Sequence, residues 1–222
     1  MSEFYGPAQR ALQDEFDTRR LADAHLTTTI ADGIDDDRTA FIESRNFFFL
    51  STIGADGWPT VSYKGGPAGV VQVEDENTIV FPSYDGNGMF LSMGNIDSGG
   101  DSGAKIGLLF IDFETPNRLR LHVTATVHRD DPAMERFPGA ELIVRGRVNS
   151  TFANCARYIH PHQRLRSSDY VPDGQGAQPY PAWKRIDLIQ PFLPEKDQGL
   201  AAEAGGEIGV DEYARRLAGG TS

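Results

Sequence analysis

The chain has 222 residues, 39% hydrophobic and 24% charged, which is the balance of a soluble globular protein, and it contains no apolar run of the ~18 residues needed to cross a bilayer. Its length favours one compact domain with extra terminal elements over two full domains. Lys and Arg number 21 against 32 Asp and Glu, a formal net charge of −11, so neither nucleic acid nor an anionic membrane is expected as the main partner, although a local basic groove could hold one phosphate.

Cys155 is the only cysteine, which excludes an intramolecular disulfide and a Cys-cluster zinc site. The first residues lack the basic-then-apolar pattern of a signal peptide, so the cytoplasm is the expected compartment. Glycine supplies 24 residues, above the average share of roughly 7%, and points to many tight turns and close backbone approaches.

In chain order, Ala11, Leu12, Phe16, Leu21 and Leu26 recur near helical spacing among charges, and Asp35 to Arg38 can cap a second short helix carrying Phe41 and Ile42. Residues 1–45 therefore read as a helical segment without visible chemistry. At Phe47 the period changes to that of a strand. A Phe-Phe-Phe-Leu-Ser-Thr-Ile run, the turn Gly54-Ala-Asp-Gly57 and then Pro59 to Tyr63 read as a hairpin. Further strands are expected at Gly69–Val73, Asn77–Phe81, Lys105–Asp112, Leu119–His128 and Glu141–Asn149, with a second hairpin turn at Asp75-Glu76-Asn77. Short strands without helix-length crossovers favour an antiparallel barrel over a parallel α/β sheet. A late helix is expected over Phe152–His160, which closes a β domain of residues 46–197. Residues 198–222 read as a mobile tail with a helix at Asp211–Leu217.

Four constellations could carry chemistry. In Ser62-Tyr63-Lys64-Gly65-Gly66-Pro67, a lysine beside two glycines lets backbone N–H groups and an ammonium converge on a phosphate; the bland alternative is a bulged turn with a solvated lysine. Phe81-Pro82-Ser83-Tyr84-Asp85-Gly86-Asn87-Gly88-Met89-Phe90 runs from a strand into a short helix through Asn95. Its amides, with Ser83 and Asn87, can cradle a phosphate or a polar cofactor tail, or Asn87 is an N-cap and Met89, Phe90 and Met93 are core. Arg118, Arg120 and His122 share one face of a strand, which either borders an anionic ligand or faces solvent. Asn154-Cys155-Ala-Arg157-Tyr158-Ile-His160-Pro-His162 joins a thiol to two imidazoles, but no carboxylate is grouped with them, and a lone structural cysteine is the simpler reading. His160 or His122 could ligate haem iron. No Ser-His-Asp order, HExxH, Walker loop or GxGxxG appears, and no metal site is assigned.

The segments Phe49-Leu-Ser-Thr-Ile-Gly-Ala-Asp-Gly-Trp-Pro, Ser62-Tyr-Lys-Gly-Gly, Phe81-Pro-Ser-Tyr-Asp-Gly-Asn-Gly-Met, Gly107-Leu-Leu-Phe-Ile-Asp-Phe and Arg118-Leu-Arg resemble the pyridoxamine 5′-phosphate oxidase-like superfamily of flavin-binding split barrels. The late Asn154-Cys-Ala-Arg-Tyr-Ile-His and Pro181-Ala-Trp-Lys-Arg resemble one uncharacterised bacterial branch of it. The resemblance implies a mainly β fold with flanking helices, a six-stranded antiparallel split barrel, and a homodimer holding FMN in two symmetric interface clefts. It implies that Ser62, Tyr63 and Lys64 line the flavin, with Phe81, Pro82 and Ser83 on the next strand, Asn87, Gly88 and Met89 at the phosphate, and Arg118 approaching from the partner chain.

Two departures stand out. The oxidases place an Arg-Lys pair where this chain has Gly88-Met89, so Lys64, Arg118 or Arg120 must replace that charge. The oxidases' substrate-phosphate Arg-x-His is also absent, since Trp183-Lys-Arg-Ile-Asp-Leu has no such His. The expectation is an FMN-dependent oxidoreductase acting on a small molecule other than pyridoxamine phosphate, with a deazaflavin cosubstrate as the alternative to FMN. The competing expectation is a flavin- or haem-binding module without turnover, and the third is an interaction protein that keeps only the dimeric barrel.

Overall fold

The structure, a computed structural model, describes residues 4–220; residues 1–3 of the N-terminal helical segment and 221–222 of the C-terminal tail lie outside the described residues. Two compact units form, one from residues up to 166 with 174–176, the other from 167–173 with 177–222.

The first unit opens with α1 (Pro7–Glu15), α2 (Arg19–Thr28) and the two-residue strand β1 (Ile30–Ala31). Pro7 stands in the first turn of α1, where its missing N–H costs nothing. The next helix, α3 (Asp36–Glu43), is capped by the Asp35 carboxylate, which accepts from the Arg38 amide at 2.8 Å. Six longer strands and one short one follow: β2 (Phe47–Ile53), β3 (Pro59–Gly65), β4 (Gln72–Asp75), β5 (Thr78–Tyr84), β6 (Ala104–Asp112), β7 (Asn117–His128) and β8 (Ala140–Ala153), with α4 (Leu91–Asp97) after β5. They pair antiparallel in the order β3-β2-β6-β7-β8-β5-β4, and β1 adds to β8, making eight strands rather than the expected six. β1 arises inside the segment read as helical because β5 pairs with β8 only as far as Arg147, leaving Thr151 and Phe152 free to pair with Ala31 and Ile30.

Two other expectations shift. Gly69 adopts φ +78 in a turn, so the strand expected at Gly69–Val73 begins only at Gln72. The late helix over Phe152–His160 does not form: Thr151, Phe152 and Ala153 continue the β7 ladder, and Tyr158 takes a left-handed φ of +70.

Strand register defines two faces. Lys64, Phe48, Phe110, Leu119 and Ala153 align across the sheet in one row, and Ser62, Leu50, Leu108, Leu121 and Thr151 in the next. These rows form the inner face, where Phe48, Leu50, Leu108, Phe110 and Leu121 are buried with Ile79, Phe81 and Val144. The outer face carries the alternate residues, such as the row Tyr63, Phe49, Leu109, Arg120 and Phe152.

The second unit has three 3-10 turns between Ala182 and Asp197, then α5 (Leu200–Glu203) and α6 (Val210–Ala218), which contains the helix expected at Asp211–Leu217. Its interior is organised by a buried ion pair, Lys184 Nζ to Asp197 Oδ2 at 2.8 Å. Among the described residues no helix is long and apolar enough to cross a membrane.

Candidate functional site

The first two constellations converge. The inner face curls so that Phe48, the cross-strand partner of Lys64, packs on Phe81 with ring centroids 5.1 Å apart. A Cβ built on Gly66 would lie 3.5 Å from the Tyr84 ring and 2.6 Å from Val70, so glycine at 66 permits the close approach of the β3 end to the β5 end. Ser83 follows Phe81 on the same inner face, opposite Leu142. The Ser62 hydroxyl lies 3.1 Å from that of Ser92 in α4.

Lys64 is the unusual group. It is half-buried, desolvation holds its ammonium below the ordinary lysine pKa, and it has no ion-pair or hydrogen-bond partner among the described residues. Even partial burial of a cation without a counter-charge is costly, and an anion brought beside it would relieve that cost. Burial pushes the nearby Tyr84 phenol up, so it stays protonated and able to donate at neutral pH.

Strand alternation divides the remaining predicted residues. Tyr63, between Ser62 and Lys64, points to the outer face, where it stacks on Phe47 at 5.3 Å. Phe81 is fully buried in the core, and Pro82 is buried beside Ile143 on the opposite face. Asn87 does not cap α4; its Oδ1 accepts from the Met89 amide at 3.1 Å, and Phe90, at φ +48, occupies the N-cap. Gly88 and Met89 are exposed. Arg118 and Arg120 lie on the outer face, Arg120 over the Phe152 ring at 5.9 Å. Within one chain, therefore, the side chains of Lys64 and Arg118 face opposite sides of the sheet.

Two buried side-chain polar atoms without a protein partner belong to residues at the same end of the β7–β8 ladder. One is Arg118 Nε; the other is Asn154 Oδ1, one residue past the Leu119–Ala153 pair. Each is a buried group that a polar molecule could satisfy. The rest of the fourth constellation disperses: Cys155 and His160 are exposed, and among the described residues no group of three His, Cys, Asp or Glu side chains could hold a metal.

Sequence reading missed one polar network. Asn95 Nδ2 donates to Thr52 Oγ1 at 2.9 Å, and the Thr52 and Thr60 hydroxyls lie 2.7 Å apart, tying α4 to the β2–β3 hairpin behind Ser62. Ser92 and Asn95, three apart among apolar neighbours on a short helix, were the available signal.

The antiparallel register and the curled inner face define a split-barrel protein. The family described as pyridoxamine 5′-phosphate oxidase matches residues 34–155, and the chain belongs to that family. No curated protein matches. Among solved structures the chain is similar to a provisionally assigned pyridoxamine 5′-phosphate oxidase of Lactobacillus delbrueckii, at 23% identity over 55% of this chain and 95% of that one, TM-score 0.43. It is also similar to HupZ of Group A Streptococcus, at 16% identity over 54% and 93% of the two chains, TM-score 0.42. A third similarity is to an FMN-binding protein of Syntrophomonas wolfei, at 11% identity over 66% and 96%, TM-score 0.39.

Proposed function

We propose that the protein is an FMN-dependent oxidoreductase acting on a small molecule, and that it works as a homodimer. The unpartnered, half-buried Lys64 carries this reading, with Ser62 on the same face of β3 and Ser83 on the inner face of β5. These donors fit an anionic, oxygen-rich group. Lys64 would neutralise its charge, Ser62 and Ser83 would hold oxygens, and the Tyr84 phenol would donate. When bound, FMN supplies the electron transfer that no side chain can. The protein's share is to orient the ring and to keep water out with Phe48, Phe81 and the Ser62–Ser92 contact.

The opposed faces of one sheet support the dimer. Lys64 and Arg118 cannot converge on one molecule from a single copy, so Arg118 and Arg120 would be supplied by a second copy. Pyridoxamine phosphate is not the substrate on this reading. Exposed Gly88 and Met89 stand where the oxidases carry a cationic pair, and the substrate-phosphate His is missing.

Titration of FMN and riboflavin into wild type, Lys64→Ala and Arg118→Ala at fixed salt tests the proposal. Each substitution should weaken FMN by about 1.5 to 3 kcal/mol and leave riboflavin, which lacks the phosphate, almost unchanged. Equal FMN affinities in all three proteins would overturn it. Flavin absorbance that bleaches with a reductant and recovers in air supports redox turnover. Oxidation of pyridoxamine phosphate at about 1 s⁻¹ or faster would contradict the substrate reading.

A further inference from the structure

The N-terminal helices and the outer face of the sheet enclose a cleft of about 1370 Å³ that the flavin reading does not use. Part of its floor is one transverse row, Ser51–Gly107–His122–Ser150, with Lys105 and Thr124 in the next row. Phe4, Leu26 and Ile30 contribute to the facing wall. Asp32 also lines the cleft and lies one residue past the Ala31–Thr151 pair, which places it at the Ser150 end of the floor row.

Three observations bear on what this cleft could bind. The first is Gly107. Glycine weakens the middle of a strand, and here the nearest atom to an added Cβ is Ser51 Cβ at 3.7 Å, so packing does not demand it; its effect is to keep the floor low. The second is a β-bulge, because the register slips between His122 and Val123 and both Asn149 and Ser150 line the cleft. Bulges commonly re-aim side chains beside binding sites. Asn149 Oδ1 accepts from Thr124 Oγ1 at 2.8 Å, and Ser150 Oγ lies 3.3 Å from His122 Nδ1. The His122 ring is held between Phe4, at 6.1 Å, and Phe152, at 5.1 Å. Desolvation, with Arg120 nearby, lowers its pKa, so the ring is neutral at pH 7, and its Nε2 has no protein partner among the described residues.

The third observation is a pair of opposite charges that do not meet. Lys105 and Asp32 line the cleft as exposed side chains, three strands apart across its floor, and among the described residues neither takes part in an ion pair. Arg10 also reaches the cleft, but it is held by Asp23 at 2.6 Å.

We propose that this cleft binds a small zwitterion on an aromatic ring, of the aromatic amino-acid class, with its carboxylate at Lys105, its ammonium at Asp32 and its ring against Phe4 and His122. The two free charges select a molecule that carries both signs, and the aromatic and aliphatic wall takes the ring. The site goes beyond the flavin reading, although Ile53 at its edge also belongs to the exposed apolar patch of the β2–β3 hairpin.

Equilibrium dialysis with L-phenylalanine, phenylpropionate and phenethylamine tests the assignment on the full chain. L-Phenylalanine should bind about tenfold or more tightly than either singly charged probe, and Lys105→Ala or Asp32→Asn should each remove that advantage. Gly107→Val should abolish binding by filling the floor while circular dichroism reports an unchanged fold; if that variant fails to fold, Gly107→Ala takes its place. Excess FMN should leave L-phenylalanine binding unchanged. Absence of L-phenylalanine binding at about 10 mM, equal binding by all variants, or displacement by FMN would each overturn the proposal.

Discussion

Arg145 and Lys64 show how differently one barrel treats its cations. Arg145 forks onto Asp131 at 2.7 and 3.0 Å and reaches Glu74 at 2.6 Å, and Arg136 pairs with the same Glu74. Asp131 is buried and also accepts from the Ala133 amide at 2.8 Å. The Arg145 hydrogen bond leads the causes that bring its pKa down to about 2. A carboxylate whose folded pKa lies below its unfolded value of about 3.9 adds stability that is complete above that value and drains away as pH falls towards 2, here about 2 to 3 kcal/mol. Denaturant midpoints at pH 6, 4 and 3 should therefore fall more steeply for wild type than for Asp131→Asn. Parallel curves would remove the assignment. Lys64 has no such partner, so its charge is available to a ligand rather than spent on the fold.

At the scale of elements, two strand glycines have opposite reasons. A Cβ at Gly146 would meet Val123 Cγ1 at 2.5 Å and Ile79 Cγ1 at 3.1 Å, both in the buried core, whereas at Gly107 it would find ordinary contact. Gly146→Ala should cost about 1 to 3 kcal/mol by overpacking, and Gly107→Ala should be neutral or slightly stabilising. Thermal unfolding of the two variants checks the contrast; equal losses would defeat it. The same scale shows what could be read from sequence. The hairpin at Gly54–Gly57 and the turn at Asp75–Asn77 were legible because glycine and Asx residues punctuate strongly alternating runs. The late helix was misread because Phe152 to His160 has an apolar spacing that suits a helix, while the β7 ladder and the pairing with β1 pull its start into a strand. Ser62-Tyr63-Lys64 could be singled out in the sequence, but its division between two faces of the sheet could not. Contiguity in sequence hides the alternation that sends Tyr63 to the other face, and the β1–β8 pairing beside the outer cleft leaves no local signal at all.

For the whole molecule, the outer face of the β2–β3 hairpin supports the proposed dimer. Val61 is 71% exposed, Tyr63 62%, Trp58 72% and Ile53 53%, and Tyr63 stacks on Phe47, which stacks in turn on Phe113 at 5.9 Å. An aromatic, aliphatic patch of this kind on an otherwise acidic protein is costly to leave in water. A second copy is the partner that would also bring Arg118 to the Lys64 cleft, so the proposed dimer and the proposed cofactor site share one cause. A stable interface of this type buries roughly 2,000 Å² or more. Replacing Val61 by Lys places an ammonium in the patch without touching the core, because Val61 is on the exposed side of an edge strand. Light scattering at micromolar concentration should find wild type as a dimer and Val61→Lys as a folded monomer. The monomer should also lose FMN affinity by tenfold or so, although Lys64 is intact, because the cations from the second copy are gone. A monomeric wild type would remove the shared cleft, and a monomeric variant that retained full FMN affinity would assign the whole site to one chain.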